Sequence, residues 1–203
     1  MTQAPRLFAP ATARNRGPIL DVLRRVLPAS GSVLELAAGT GDHAAFFAES
    51  LPGLDWRPTE ADPHLLPEIE ARRRAAGLAN LREAALLAID GPDWRAPDTP
   101  LAAIVAINLL HIAPWPVAEH LFAGAGRALA ENGILFLYGP YRRDGAHTAP
   151  SNAQFDAMLR RHDPAWGVRD LDAVARLGEA HGLALDETVA MPANNLSLIF
   201  RRA

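Results

Sequence analysis

The sequence predicts an α/β fold: a Rossmann-like, doubly wound sheet of seven mostly parallel strands, with helices on both faces and an antiparallel hairpin at the C-terminal end. Three observations carry that expectation. The apolar run over residues 32–36 ends in the small-residue turn Ala37-Ala38-Gly39-Thr40-Gly41, and a helical apolar pattern follows at once. That is how a strand crosses into a helix through a tight nucleotide-binding turn. Residues 101–107 and 133–138 are almost continuously apolar, as expected of strands buried on both faces. Two last runs, 183–190 and 196–201, are joined only by Met191-Pro192-Ala193-Asn194-Asn195, which makes them a hairpin at one edge.

The elements follow in order. Residues 1–13 are punctuated by proline and read as irregular. From Asn15 the spacing Pro18-Ile19-Leu20, Val22-Leu23, Val26-Leu27 is helical, with Pro18 suited to a first turn and Pro28 and Gly31 ending it. After the strand over 32–36 comes a helix over 42–49. Residues 56–60 read as the second strand, although Pro58 has no N–H to give to a ladder. A helix over 63–76 stops at Gly77, and 81–89 is the third strand. The strand over 101–107 is followed by a helix over 117–129 and the strand over 133–138. Ser151-Asn152-Ala153-Gln154 has capping-box spacing and opens a helix through 161. Residues 168–181 form the last helix, closed by Gly182.

Size and composition narrow the function. A chain of 203 residues makes one domain with a substantial core. A net charge of −3 gives no general attraction for nucleic acid or an anionic membrane; compact size and the lack of an appended basic domain favour a small-molecule partner, with a tRNA or protein substrate left open. All 20 basic residues are arginine, so Schiff-base chemistry and lysine-dependent phosphate loops are excluded. Without cysteine there are no disulfides, thiolate nucleophiles or cysteine-ligated zinc; Asp42-His43 and Arg161-His162-Asp163 lack the spacing of a metal site. No run resembles a signal peptide or membrane span, and a cytoplasmic protein is expected.

In an open α/β sheet the ligand lies beyond the carboxyl ends of the strands. Those ends supply Glu35 with the glycine turn, Glu60, Asp90, Asn108 and Tyr138-Gly139-Pro140. Gly39 and Gly41 let the backbone approach a ligand, and the helix behind them presents free N–H groups. Glu35, four residues before Gly39, suits a cationic or hydroxyl-rich ligand better than a pyrophosphate. Glu60, with Asp62 as its near alternative, stands about 20 positions beyond the turn, where a carboxylate accepts ribose hydroxyls. Asp90 is placed to accept from a purine amine.

Val33-Leu34-Glu35-Leu36-Ala37-Ala38-Gly39-Thr40-Gly41, Glu60, Asp90 and Asn108-Leu109-Leu110-His111 resemble the ordered motifs of class I S-adenosylmethionine-dependent methyltransferases. The resemblance implies S-adenosylmethionine as cofactor and S-adenosylhomocysteine (SAH) as product, held by Glu35, Ala37, Gly39, Thr40, Gly41, His43, Glu60, Asp62, Asp90 and Asn108. Ala37 replaces a glycine frequent in that family, and Pro58 interrupts the strand leading to Glu60. A closer resemblance spans nearly the whole chain. Arg14-Asn15 with Pro18-Ile19-Leu20, Tyr138-Gly139-Pro140-Tyr141, Ser151-Asn152 with Phe155-Asp156, Trp166-Gly167 with Arg169-Asp170, and Met191-Pro192-Ala193-Asn194-Asn195 look like the methyltransferase-like protein 26 family. The expected layout is a single methyltransferase-like domain over 1–203, with an N-terminal arm and helix over 1–31 and a substrate cap inserted over 142–167.

His111 and Tyr141 are the candidate catalytic residues. An imidazole past the fourth strand can serve as base or brace its loop, and a phenol past the fifth can orient a hydroxyl or cover the cofactor. Arg14, Asn15, Asn152, Asn194 and Asn195 are candidate substrate contacts. The expected activity is methyl transfer to oxygen or nitrogen of a small molecule. Two alternatives stay open. One is a catalytically silent cofactor-binding module that acts through a partner. The other is a nicotinamide-dependent oxidoreductase, which Gly39-Thr40-Gly41-Asp42-His43-Ala44 admits as a relaxed fingerprint and Glu35 and the terminal hairpin oppose.

Overall fold

The strand that leads into the glycine turn lies inside the sheet, third of seven strands from one edge. The structure, a computed structural model, describes residues 4–97 and 99–203, with side chains from residue 12 onward. Strand β1 (Gly31–Leu36) buries its last four residues and pairs in parallel with β2 (Leu54–Glu60) on one side and β4 (Leu101–Ile107) on the other. With β3 (Ala85–Leu86), β5 (Leu129–Gly139), β9 (Leu183–Met191) and β10 (Asn195–Arg202), the order across the sheet is β3-β2-β1-β4-β5-β10-β9. β10 runs against both its neighbours, so the terminal hairpin closes one edge of an otherwise parallel sheet.

Alternation along the strands divides the core in two. Val33, Ala103 and Val105 face Ile19 and Leu23 of α1 (Ala4–Val26), Phe47 of α2 (Asp42–Ser50), and Trp56. Leu34, Ile104 and Ala106 face Leu121 and Phe122 of α4 (Trp115–Ala128) and Val174 of α6 (Leu171–Ala180). The chain leaves β1 toward β2 and β3, then returns to the opposite side for β4 and β5. The carboxyl ends of β1 and β4 therefore flank the reversal point where ligands enter such sheets.

Several expectations are corrected. The first helix begins at Ala4 rather than near Asn15, and Pro10 and Pro18 lie inside it. Each forgoes one backbone rung, and burial of Ile19, Leu20 and Leu23 outweighs that loss for the part beyond Pro18. The third strand shrinks to Ala85–Leu86. Leu81 only bridges Trp56, and the chain between bows out so that the Ala84 N–H donates to Glu70 of α3 (Leu66–Ala76). The helix α5 (Pro150–His162) is capped at Ala149 without a side-chain bond, so Ser151 does not form a capping box; Pro150 opens the helix instead. The last helix starts at Leu171, where Asp170 accepts from the Asp172 N–H.

A second sheet, not expected from the sequence, joins β6 (Tyr141–Arg143), β7 (Ala146–His147) and β8 (Arg169–Asp170) in the order β7-β6-β8. It anchors both ends of the α5 segment. Among the described residues, no helix is long and apolar enough to cross a membrane.

Candidate functional site

Beyond Leu36 the backbone enters the left-handed region at Ala37 (φ 54°), Gly39 (φ 60°) and Gly41 (φ 79°), the last being the N-cap of α2. A β-carbon on Gly41 would stand 3.1 Å from Ile69, so this glycine lets α2 and α3 approach each other. A β-carbon on Gly39 would meet nothing within 4 Å: the turn faces open space. The Glu60 carboxylate fixes that turn to the end of β2. Its Oε2 accepts from the Gly39 N–H at 2.8 Å, and its Oε1 accepts from the N–H groups of Ala61 at 2.8 Å and Asp62 at 3.3 Å.

The space so formed is a cavity of about 360 Å³. Ala37, Ala38, Gly39 and Thr40 form its floor, Glu60 and Asp62 its polar side, and Leu65, Ile107, Leu109, Ile112 and Trp166 its apolar walls. Thr12 closes it from α1, and His43 lines it from α2. Burial is the largest influence on His43, followed by opposing effects of Asp42 and Arg16, and its pKa falls to about 4. His43 is therefore a neutral ring, whose Nε2–H donates to Asn15 Oδ1 at 2.8 Å.

A second cavity, of about 520 Å³, adjoins the first, with Asn108 lining both. Asn108 sits at φ 59° directly after β4, and its N–H donates to the Tyr138 carbonyl at 2.8 Å. Arg14, Asn15, His111, Tyr138, Asn152 and Asn195 supply the polar lining, with Phe155, Met158, Pro140, Pro192 and Ala193 between them. The Tyr138 hydroxyl is hydrogen-bonded by Asn15 and Asn195, and burial nevertheless raises its pKa. A polar chain, His43–Asn15–Tyr138–Asn195, thus runs from one cavity to the other.

His111 rides on a single 3-10 turn, Leu110–Ile112, buried edge-on to the Phe155 ring at 5.4 Å. Desolvation, then the Arg169 charge, lowers its pKa to about 3. Arg169 holds that turn by donating to the carbonyls of Leu110 at 3.0 Å and Ala113, and also to Ala165 at 2.8 Å. The Gly167 N–H donates to the His111 carbonyl at 3.0 Å.

Of the residues picked from the sequence, Ala37, Gly39, Thr40, His43, Glu60, Asp62 and Asn108 line the first cavity, and Arg14, Asn15, Asn108, His111, Asn152 and Asn195 the second. Five lie elsewhere. Glu35 is buried behind the turn, accepting from the Trp56 indole N–H at 2.6 Å, and its pKa rises to about 8 chiefly through desolvation. Gly41 packs on Ile69. Asp90 is exposed, because the chain beyond β3 turns toward α4, where the Ile89 carbonyl lies 3.4 Å from His120 Nδ1. Tyr141 is sealed in the core beneath the small sheet, its hydroxyl pKa raised by burial alone. Asn194 occupies the hairpin link at φ 58°, giving its carbonyl to Asn152 at 2.9 Å.

Phe155, Met158 and Trp166 were not picked as site residues, and Tyr138, read at the ligand end of its strand, was given no role there. Tyr138 stands next to last in β5 on the same face as Ile134 and Phe136, whereas Tyr141 follows the bend at Gly139-Pro140.

A sequence model of the family described as "Protein of unknown function (DUF938)" matches residues 6–202. Among solved structures, an O-methyltransferase family protein from Burkholderia thailandensis superposes with a TM-score of 0.81 at 18% identity over 98% of this chain and 60% of that one. The mitomycin 7-O-methyltransferase gives 0.80 at 17% identity over 98% and 56%. The SAH-bound methyltransferase of calicheamicin biosynthesis gives 0.72 at 19% identity over 93% and 54%. This chain therefore spans little more than half of each of those chains, and the similarity establishes a shared fold.

Proposed function

The chain belongs to the DUF938 family, and from that premise we propose that it is an S-adenosylmethionine-dependent methyltransferase acting on a small-molecule acceptor. The observation that carries this reading is the pair of adjoining cavities at the reversal point of the sheet, with Asn108 as their common wall. The residue blocks resembling methyltransferase-like protein 26, and the methyltransferases that share the fold, support it further. That two of those relatives are named as O-methyltransferases favours oxygen as the acceptor atom.

The first cavity fits the cofactor. Its carboxylates, Glu60 and Asp62, would take ribose hydroxyls; the open backbone at Ala37–Gly39 would face the methionine portion; and Leu65, Ile107 and Leu109 would cover the purine. When bound, the sulfonium supplies an already activated methyl group. The chain's own residues then have to align the acceptor and exclude water. His111, neutral through burial, and Tyr138, fixed by two asparagines, hold an acceptor in the second cavity by hydrogen bonds. Asn108 stands between the two ligands.

Calorimetric titration with SAH tests the reading. The wild-type protein is expected to bind it saturably. Gly39→Arg, which fills the open face of the turn, is expected to abolish binding, and Glu60→Ala to weaken it about tenfold or more. Absence of SAH binding by the wild type, or unchanged binding by Gly39→Arg, would remove the proposal.

A further inference from the structure

We infer, resting on the methyltransferase reading, that the acceptor is a small carboxylate with an apolar body, methylated on a carboxylate oxygen. The second cavity presents one formal charge in its lining, that of Arg14, and neither Asp nor Glu lines it. Arg14 is exposed at the rim and has no ion-pair or hydrogen-bond partner among the described residues. Several other arginines are engaged, among them Arg25 with Glu187, Arg72 with Asp42, Arg160 with Asp156, Arg201 with Asp186, and Arg16 over the Phe46 ring; what sets Arg14 apart is its place in the lining of this cavity. An unpaired guanidinium facing amides, a phenol and a neutral imidazole selects an anion and repels a protonated amine. Phe155, Met158 and Pro140 supply an apolar surface for the rest of the molecule.

The titratable groups around the two cavities support this choice. Arg14, His111 and Tyr138 face the acceptor space; Asp42, His43, Glu60 and Asp62 face the neighbouring cavity. His111 and His43 are held neutral by burial, the Tyr138 phenol is held protonated, and Asp42 is paired with Arg72 at 2.9 Å. None of the groups facing the acceptor is tuned to take a proton from a neutral hydroxyl near pH 7. A carboxylate has no proton to lose. Its oxygen lone pair forms the new bond to the methyl carbon, the carbon–sulfur bond breaks, and its electron pair stays on sulfur. An anion and a sulfonium become a neutral ester and a neutral thioether, and no proton moves.

Binding of 4-fluorobenzoate, 4-fluorobenzamide and 4-fluorobenzylamine to the SAH-loaded protein, followed by fluorine NMR, separates the possibilities. The carboxylate is expected to bind about tenfold more tightly than the amide, the amine more weakly than both, and Arg14→Gln to reduce the carboxylate preference to about twofold. Equal or reversed preference, binding of none of the three, or a preference that survives in Arg14→Gln overturns the inference. SAH affinity, measured alongside in both proteins, is expected to stay unchanged by Arg14→Gln. If the wild type binds no SAH, the methyltransferase reading fails; if it binds SAH without anion preference, only the carboxylate assignment does.

Discussion

Glu35 titrates far from its ordinary range because desolvation dominates, with the Trp56 N–H opposing and the Glu60 charge adding to it. Between the unfolded value of 4.5 and about 8, the folded protein keeps a proton that the unfolded chain releases, so Glu35 makes stability fall as pH rises through that window. His43 and His111 act in the opposite sense. Lowered from 6.5 to about 4 and about 3, they leave the unfolded chain as the better proton binder, and stability falls as pH drops below 6.5. On the acid side two histidines outweigh one carboxyl, so the joint contribution of these three groups rises from acid toward neutral pH and falls beyond it. Glu35→Gln keeps an acceptor for the Trp56 N–H and removes the ionisation. Denaturant unfolding should then show a flattened alkaline limb, with a gain on the order of 1–3 kcal/mol at pH 8. A wild-type alkaline limb that persists in the variant would assign it to another group. The acidic residue before the glycine turn was legible in the sequence, but its burial required the alternation of β1, which sends Glu35 toward the Val33 and Trp56 side.

The turn Leu110–Ile112 is too short to hold itself, and Arg169 holds it from the far end of the α5 segment. Arg169→Ala is expected to lower unfolding free energy by about 2 kcal/mol, and to speed amide exchange at Gly167, whose N–H binds the His111 carbonyl. Unaltered exchange there would show that the turn is braced without Arg169. Elements were legible where burial is one-sided or complete. Leu101–Ile107 coincides with its apolar run because both faces are covered. Tyr141–Arg143, Ala146–His147 and Arg169–Asp170 were not, since two or three partly polar residues carry no periodicity and pair only after α5 has returned the chain. The start of α1 misled for another reason: Pro18 reads as a first-turn proline, but it lies inside the helix, where burial of Ile19, Leu20 and Leu23 outweighs the lost rung.

At the scale of the molecule, the reversal point and the terminal hairpin followed from the order of apolar runs, but the second cavity did not. Its walls come from α1, the turn after β4, the end of β5, α5 and the hairpin link; Arg14, Asn15, Asn152 and Asn195 were grouped only through the resemblance, since no local periodicity brings segments so far apart together. The helix α1 supplies Thr12 to one cavity and Arg14 and Asn15 to the other, while Asn15 bonds to both His43 and Tyr138. A ligand that favours the seated helix in either cavity therefore prepares the other, which makes the two binding events share one coupling free energy. SAH should tighten 4-fluorobenzoate binding by about fivefold, and 4-fluorobenzoate should tighten SAH by the same factor, with Asn15→Ala bringing both close to unity. Independent binding in the wild type would show that the helix is fixed in place before either ligand arrives. With coupling, departure of one ligand would loosen the hold on the other, and α1 would carry that message without contributing an atom to the bond exchange.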